Sequence, residues 1–196
     1  MPSLARLCSC AAPLAVALGT TLVASDAHAG PNDNSASKPW SLHAGLGPVV
    51  NFRGGLFGRF SFDMEYHFKG GDVGPALGFY GAANFTSWSG GLNIGPVFAW
   101  DFRIYENDNV KLYIGPLAAT GYGFHSGWYG RYGRPWRGPG PEYFAHFWFL
   151  YVSPHFRVLW NDTIGMFVRP AGFEVWAGNF GATGHFSFIA GLAAAF

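Results

Sequence analysis

The stretch Leu92-Asn-Ile-Gly-Pro-Val-Phe-Ala-Trp-Asp-Phe-Arg-Ile-Tyr-Glu106 decides the fold. Leu92, Ile94, Pro96, Phe98, Trp100, Phe102 and Ile104 fall at every second position. Asn93, Gly95, Val97, Ala99, Asp101, Arg103 and Tyr105 fill the positions between them. Successive side chains of an extended strand point to opposite faces, so this segment predicts a strand with one apolar face and one small or charged face.

The same period runs outward in both directions. In Leu56–Phe68, the residues Leu56, Phe60, Phe62, Met64, Tyr66 and Phe68 oppose Phe57, Arg59, Ser61, Asp63, Glu65 and His67. At the end of the chain Phe186, Phe188, Ala190, Leu192, Ala194 and Phe196 oppose His185, Ser187, Ile189, Gly191, Ala193 and Ala195. Trp40–Phe52, Val73–Phe85, Val110–Phe124, Tyr143–Trp160 and Thr163–Ala177 complete a set of eight segments. The last of these slips phase near Pro170-Ala171-Gly172, which predicts a bulge. Each segment is longer than the roughly 9–11 residues a tilted strand needs to cross a bilayer. Tight polar turns are expected at Lys69–Asp72, Asn107–Asn109 and Asn161-Asp162, and a turn at Arg53–Gly55. Longer loops are expected between segments 3 and 4 and between 7 and 8, the longest being His125–Glu142 between 5 and 6.

Composition says what the apolar face meets. The 196 residues are 49% hydrophobic and 19% aromatic but only 12% charged, about half the usual share of charge. Disorder and coiled coil are excluded on these figures, and 12 Lys+Arg against 11 Asp+Glu gives no basic excess for nucleic acid. A soluble barrel, or a sandwich with the greasy faces inside, would leave an outer surface too poor in charge for solubility. Facing lipid removes the conflict. The expected fold is therefore all-β: an eight-stranded antiparallel up-and-down transmembrane β-barrel over residues 40–196, with its charges inside.

Before the barrel, residues 1–29 read as a signal peptide. Arg6 supplies its positive end, Ala11–Ala24 its apolar run and Ala27-His28-Ala29 its cleavage site. Residues 30–39 read as a polar spacer. Cys8 and Cys10 both lie in the signal, so the mature chain has no cysteine for a disulfide or metal. No further domain is expected after Phe196.

Signal peptide, eight amphipathic segments, cysteine-free mature chain and terminal Phe196 resemble the small eight-stranded outer-membrane barrels of Gram-negative bacteria. That resemblance implies a bacterial outer-membrane location, both chain ends periplasmic, and contact with membrane lipid and lipopolysaccharide. It also implies recognition of the terminal Phe196 motif by the barrel assembly machinery. Prolines at Pro48, Pro75, Pro96, Pro116, Pro154 and Pro170 depart from regular strands, and a set of bulges is the expected accommodation.

Within such a barrel, Arg59, Asp63, Glu65, His67, Asp101, Arg103, Lys111, His155, Arg157 and Arg169 face inward. They are expected to pair into a network that plugs the lumen; an ion or proton path is the alternative. Aromatics toward the outer end are expected to fill space over inward glycines. In the long loop, Arg131, Arg134 and Arg137 among Trp128 and Trp136 suit an anionic glycan such as lipopolysaccharide. His185-x-Ser187 is similar to the His-x-Ser pair of lipid A deacylases, but alternation turns both residues inward, so no catalytic site is assigned; His125-Ser126 with Glu142 is a second weak trio. No His-x-x-x-His or Glu-x-x-His spacing marks a metal site, and no cofactor is expected. The expected role is structural or surface-interacting. A lipid A-modifying enzyme or a narrow pore stand behind it, and the oligomeric state stays open.

Overall fold

A computed structural model of the protein describes residues 38–68, 71–86, 89–128 and 142–196. They form eight strands: β1 (Trp40–Asn51), β2 (Leu56–His67), β3 (Gly74–Phe85), β4 (Ser89–Glu106), β5 (Val110–Trp128), β6 (Glu142–Trp160), β7 (Ile164–Gly178) and β8 (Gly181–Ala195). Each pairs antiparallel with the next, and β8 pairs with β1, so the sheet closes into a barrel. At the seam the Trp40 and Phe196 backbones exchange two hydrogen bonds, both 3.0 Å. Full closure leaves no edge strand, the condition for a sheet in hydrocarbon.

The alternation read from sequence sets the faces. Arg59, Asp63, Glu65 and His67 are buried inside, while Leu56, Phe60, Tyr66 and Phe68 stand exposed outside. Among the described residues, no Asp, Glu, Lys or Arg lies on the outward face of a strand between the turns. The barrel is inverted relative to a soluble one: apolar coat, charged interior.

The connections are shorter than the sequence suggested. β7 and β8 are joined by Asn179-Phe180 alone, and β3 and β4 by residues 86–88. The Gly/Ser/Asn stretches expected as loops continue the strands instead, because the ladder runs on past the apolar pattern into glycine positions (Gly178 opposite Gly181, Phe85 opposite Gly90). Length asymmetry therefore rests on the connection between β5 and β6. Turn chemistry follows the sequence closely. Asn161 and Asp162 take φ of 49° and 55°, the paired left-handed conformation of a type I′ turn, in which the Thr163 N–H donates to the Trp160 carbonyl at 3.2 Å. Asn107 accepts from the backbone N–H of Asn109 and Val110, at 3.0 and 2.7 Å.

Two bulges interrupt the register. In β7 one extra residue around Pro170-Ala171 offsets the pairing with both β6 and β8, at the site the phase slip predicted. In β4 an extra residue at Ile104 turns Tyr105 outward, where strict alternation had placed it inside. Pro154 stands on β6 opposite the β7 bulge, but Pro48, Pro75, Pro96 and Pro116 need no bulge, contrary to expectation. Register is unchanged across Pro48 (Leu46 with Ala190, Val49 with Ser187) and Pro96 (Ile94 with Tyr122, Val97 with Ala119). It is likewise unchanged across Pro116 (Ala99 with Leu117, Phe102 with Ile114).

Each of these prolines follows a glycine. A Cβ on Gly47, Gly95 or Gly115 would overlap the carbonyl oxygen of Phe188, Thr120 or Trp100 respectively. Each of those carbonyls stands opposite the proline and has no ladder N–H to accept from it. It lies over the glycine, an approach that only glycine admits. The same approach occurs at Gly78, Gly165 and Gly191, which no proline follows, so it marks close strand contact at glycine, and the prolines fit the ladder beside it without shifting register.

Candidate functional site: the charged lumen

Inward positions of β1, β2, β4, β6 and β7 bring the buried charges into three groups, with polar partners from β3 and β5. Toward the end that carries the β5–β6 connection, Arg59 Nη2 lies 2.5 Å from Glu174 Oε2, and Arg59 Nε donates to Asn84 Oδ1 at 2.7 Å. Asn93 Nδ2 donates to the other Glu174 oxygen at 2.7 Å, and Asn84 Nδ2 donates to Asn93 Oδ1 at 3.2 Å. In the middle, Arg169 forks onto Asp63 at 2.7 and 2.9 Å, and His43 Nδ1 lies 2.7 Å from Asp63 Oδ2. The His43 ring meets His155 edge-on at 4.7 Å, with Phe167 against both.

Nearer the chain ends, Arg157 Nη2 lies 2.7 Å from Asp101 Oδ2 and donates to the Asp72 carbonyl at 3.0 Å. Its Nη1 donates to Ser41 Oγ at 2.8 Å, and its guanidinium sits 4.5 Å over the Tyr113 ring. Tyr113 in turn donates to the Asp72 carboxylate. His67 Nε2 is 2.7 Å from Ser41 Oγ and 3.9 Å from Asp101.

Every deep arginine therefore faces one carboxylate: Arg59 with Glu174, Arg169 with Asp63, Arg157 with Asp101. Pairing is what makes buried charge tolerable, since desolvation costs several kcal/mol per ion. Glu65 is the exception. It is fully buried, and neither carboxylate oxygen has a hydrogen-bond partner among the described residues. Its oxygens cluster within 4.8 Å of ligand atoms of His43 and Asp63, and of His67 and Asp101.

Arg103 and Lys111 belong elsewhere. Lys111 Nζ reaches Asp162 at 3.0 Å and Glu106 at 3.3 Å, and Arg103 Nε reaches Glu106 at 3.2 Å. They form a rim cluster at the turn end. Beside it Lys38 Nζ donates to the Asp162 carbonyl and Thr163 Oγ1, tying the incoming chain to the β6–β7 turn.

Aromatic rings fill the lumen beside and beyond these charges. Tyr80 stacks on Tyr151 at 5.6 Å, and Phe147 stacks on Trp176 at 4.3 Å. Of the inward glycines expected to lie under rings, Gly45, Gly47, Gly78, Gly95 and Gly121, only Gly45 has one, Phe167; Phe147 and Tyr151 cover Gly123 and Gly172 instead. At Gly78, Gly95 and Gly121 the close neighbour is a strand backbone, not a ring.

His185 and Ser187 face this interior but do not pair. Ser187 Oγ donates to the Gly172 carbonyl at 3.5 Å. The His185 ring sits 4.1 Å from Trp176, and neither of its nitrogens has a hydrogen-bond partner among the described residues. Phe196 projects outward at the β1–β8 seam. Arg131, Arg134, Arg137 and Trp136 lie outside the described residues, as do the signal segment, residues 30–37 and the side chains of Trp128 and Glu142.

Sequence reasoning missed Glu174, Asn84 and His43 as members of the network. Glu174 was legible from the phase slip: carrying the alternation across the extra residue at Pro170-Ala171 turns it inward. The Glu65 cluster was not legible, because β2 and β4 meet inside the barrel without being neighbours in the sheet.

No protein-family model matches the chain, and no curated protein matches it by sequence. Among solved structures, the N-terminal β-barrel domain of Pseudomonas aeruginosa OprF aligns with a TM-score of 0.52 at 9% identity, covering 83% of this chain and all of that domain. Neisserial surface protein A aligns at 0.48 and 17% identity, covering 80% and 96%. Ail, the attachment invasion locus protein of Yersinia pestis, aligns at 0.34 and 17%, covering 79% and 95%. The likeness to the OprF domain is one of fold: a closed eight-stranded antiparallel β-barrel.

Proposed function

We propose that this chain is an integral protein of the bacterial outer membrane, exported by its first 29 residues, with a structural or surface-interacting role. One observation carries the reading: an outward strand face without Asp, Glu, Lys or Arg wraps an interior in which each deep arginine has its carboxylate. Such a coat is stable in hydrocarbon and unstable in water. The paired interior and the aromatic rings packed with it support a closed lumen. Phe196, at the seam that completes the barrel, serves as the assembly signal.

The outer loop supplies the surface contact. Arg131, Arg134 and Arg137, among Trp128 and Trp136, bind lipopolysaccharide phosphates by charge-assisted hydrogen bonds. Lipid A hydrolysis is disfavoured, because His185 does not contact Ser187 and both face away from lipid.

Two measurements on the purified, refolded protein test the reading. In planar bilayers it should give no steady conductance; salt-dependent channels would refute the closed lumen. Replacing all three loop arginines by glutamine should weaken lipopolysaccharide binding, and unchanged binding would refute the loop's role.

A further inference from the structure

We propose that the lumen binds a first-row divalent cation of the zinc class, held by Glu65, His67 and Asp101. The charge count is the starting point. Among the described residues the deep lumen holds four carboxylates, Asp63, Glu65, Asp101 and Glu174, and three guanidiniums, Arg59, Arg157 and Arg169. The ion pairs use one of each, three times over, and Glu65 is left. An unpaired carboxylate with both oxygens buried and unbonded is among the costliest groups a protein interior can carry. A cation at that point offsets the cost.

Neighbouring atoms are the right kind. The ligand atoms of Glu65, His67 and Asp101 lie within 4.8 Å of one another. Ligands on tetrahedral zinc, at about 2.0–2.2 Å from the metal, stand roughly 3.5 Å apart, so closure asks for movements on the order of an ångström. His67 Nδ1 has no hydrogen-bond partner among the described residues, and its Nε2 already looks toward Asp101. An imidazole in the set favours zinc and its neighbours over magnesium or calcium, which take oxygen ligands.

The alternative set, His43, Asp63 and Glu65, is less available. Both Asp63 oxygens face Arg169, and His43 adds a third contact. Asp101 faces one arginine, and that arginine has other support. If Asp101 turned to a metal, Arg157 would keep Ser41 Oγ, the Asp72 carbonyl and the Tyr113 ring.

The test uses the barrel without an affinity tag, refolded in detergent, stripped with chelator and titrated with Zn²⁺ by calorimetry. Co²⁺ serves as an absorbing substitute. Expected are one Zn²⁺ per chain, a Co²⁺ spectrum of mixed nitrogen and oxygen ligation, and much weaker Mg²⁺ and Ca²⁺ binding. Glu65→Gln should lower Zn²⁺ affinity by about 100-fold or more, since losing even an outer-shell partner costs about 10–100-fold. Glu65→Gln removes an unpaired charge and should fold, as heat-shifted gel mobility will show. If it does not fold, His67→Gln carries the same expectation, while His43→Gln should retain the metal. Absence of Zn²⁺ binding by the wild-type barrel overturns the proposal. So does binding that survives both Glu65→Gln and His67→Gln, or that disappears only in His43→Gln. A protonated-carboxyl infrared band in the wild type, lost in Glu65→Gln and insensitive to Zn²⁺, would show that a proton neutralises Glu65 instead, and would also overturn it.

Discussion

Arg59 on β2 and Glu174 on β7 meet at 2.5 Å across the barrel, with side chains 0% and 1% exposed. Removing one member of a buried pair strands the other, at a cost of about 3–5 kcal/mol. Glu174→Ala should therefore lower unfolding free energy by that order, read from urea denaturation in lipid vesicles. The double change Arg59→Leu with Glu174→Leu should cost less than Glu174→Ala alone. If the double variant is the weaker one, the penalty does not come from an orphaned charge.

The β7 bulge is what aims Glu174 and Trp176 inward. Inserting an alanine after Gly172 would add a second extra residue and turn both toward lipid, or else force a register slip along two interfaces. The expected outcome is loss of the heat-shifted, folded band on gels, whereas deleting Ala171, which makes the ladder continuous and leaves both residues inward, should keep it. An insertion variant that folds with unchanged stability would show that the strand beyond the bulge is not held in register.

Glycines beside the prolines should be intolerant. Gly47→Ala and Gly95→Ala each force a Cβ onto a neighbouring carbonyl oxygen. Overpacking of this kind costs about 1–3 kcal/mol. Gly81→Ala, whose Cβ would find only ordinary contact with Phe79 and Phe62, should be near neutral by the same urea titration.

How much of this was legible follows from the period. Two-residue alternation is local, so the strands, their faces, the phase slip at Pro170-Ala171 and the turns at Asn107 and Asn161-Asp162 could be read directly. Pairing inside the tube is not local: nothing in the order of residues says that Arg59 meets Glu174 rather than Asp63. The Gly-Pro pairs were visible but read as bulges, whereas the register runs unshifted across Pro48, Pro96 and Pro116, a matter of pairing with the adjacent strand. Arg103 and Lys111 were assigned to the lumen by parity, and proximity to exposed Glu106 and Asp162 draws them to the rim instead.

The outward face should report depth. Leu150 stands one residue from the midpoint of β6, outward and 52% exposed. Leu150→Arg should cost about 2–4 kcal/mol in vesicles, the range for a cation near the bilayer midplane. Trp160→Arg, at the turn end of the same strand, should cost about 0–1 kcal/mol in charge placement. Equal and negligible effects at both positions would mean that β6 does not face lipid.

Fractionation of Gram-negative cells expressing the full chain, with boiled and unboiled samples run side by side, tests the central claim most directly. The barrel should sediment with the outer membrane and migrate differently before and after boiling. Recovery as a soluble periplasmic protein with no heat-dependent shift would contradict it.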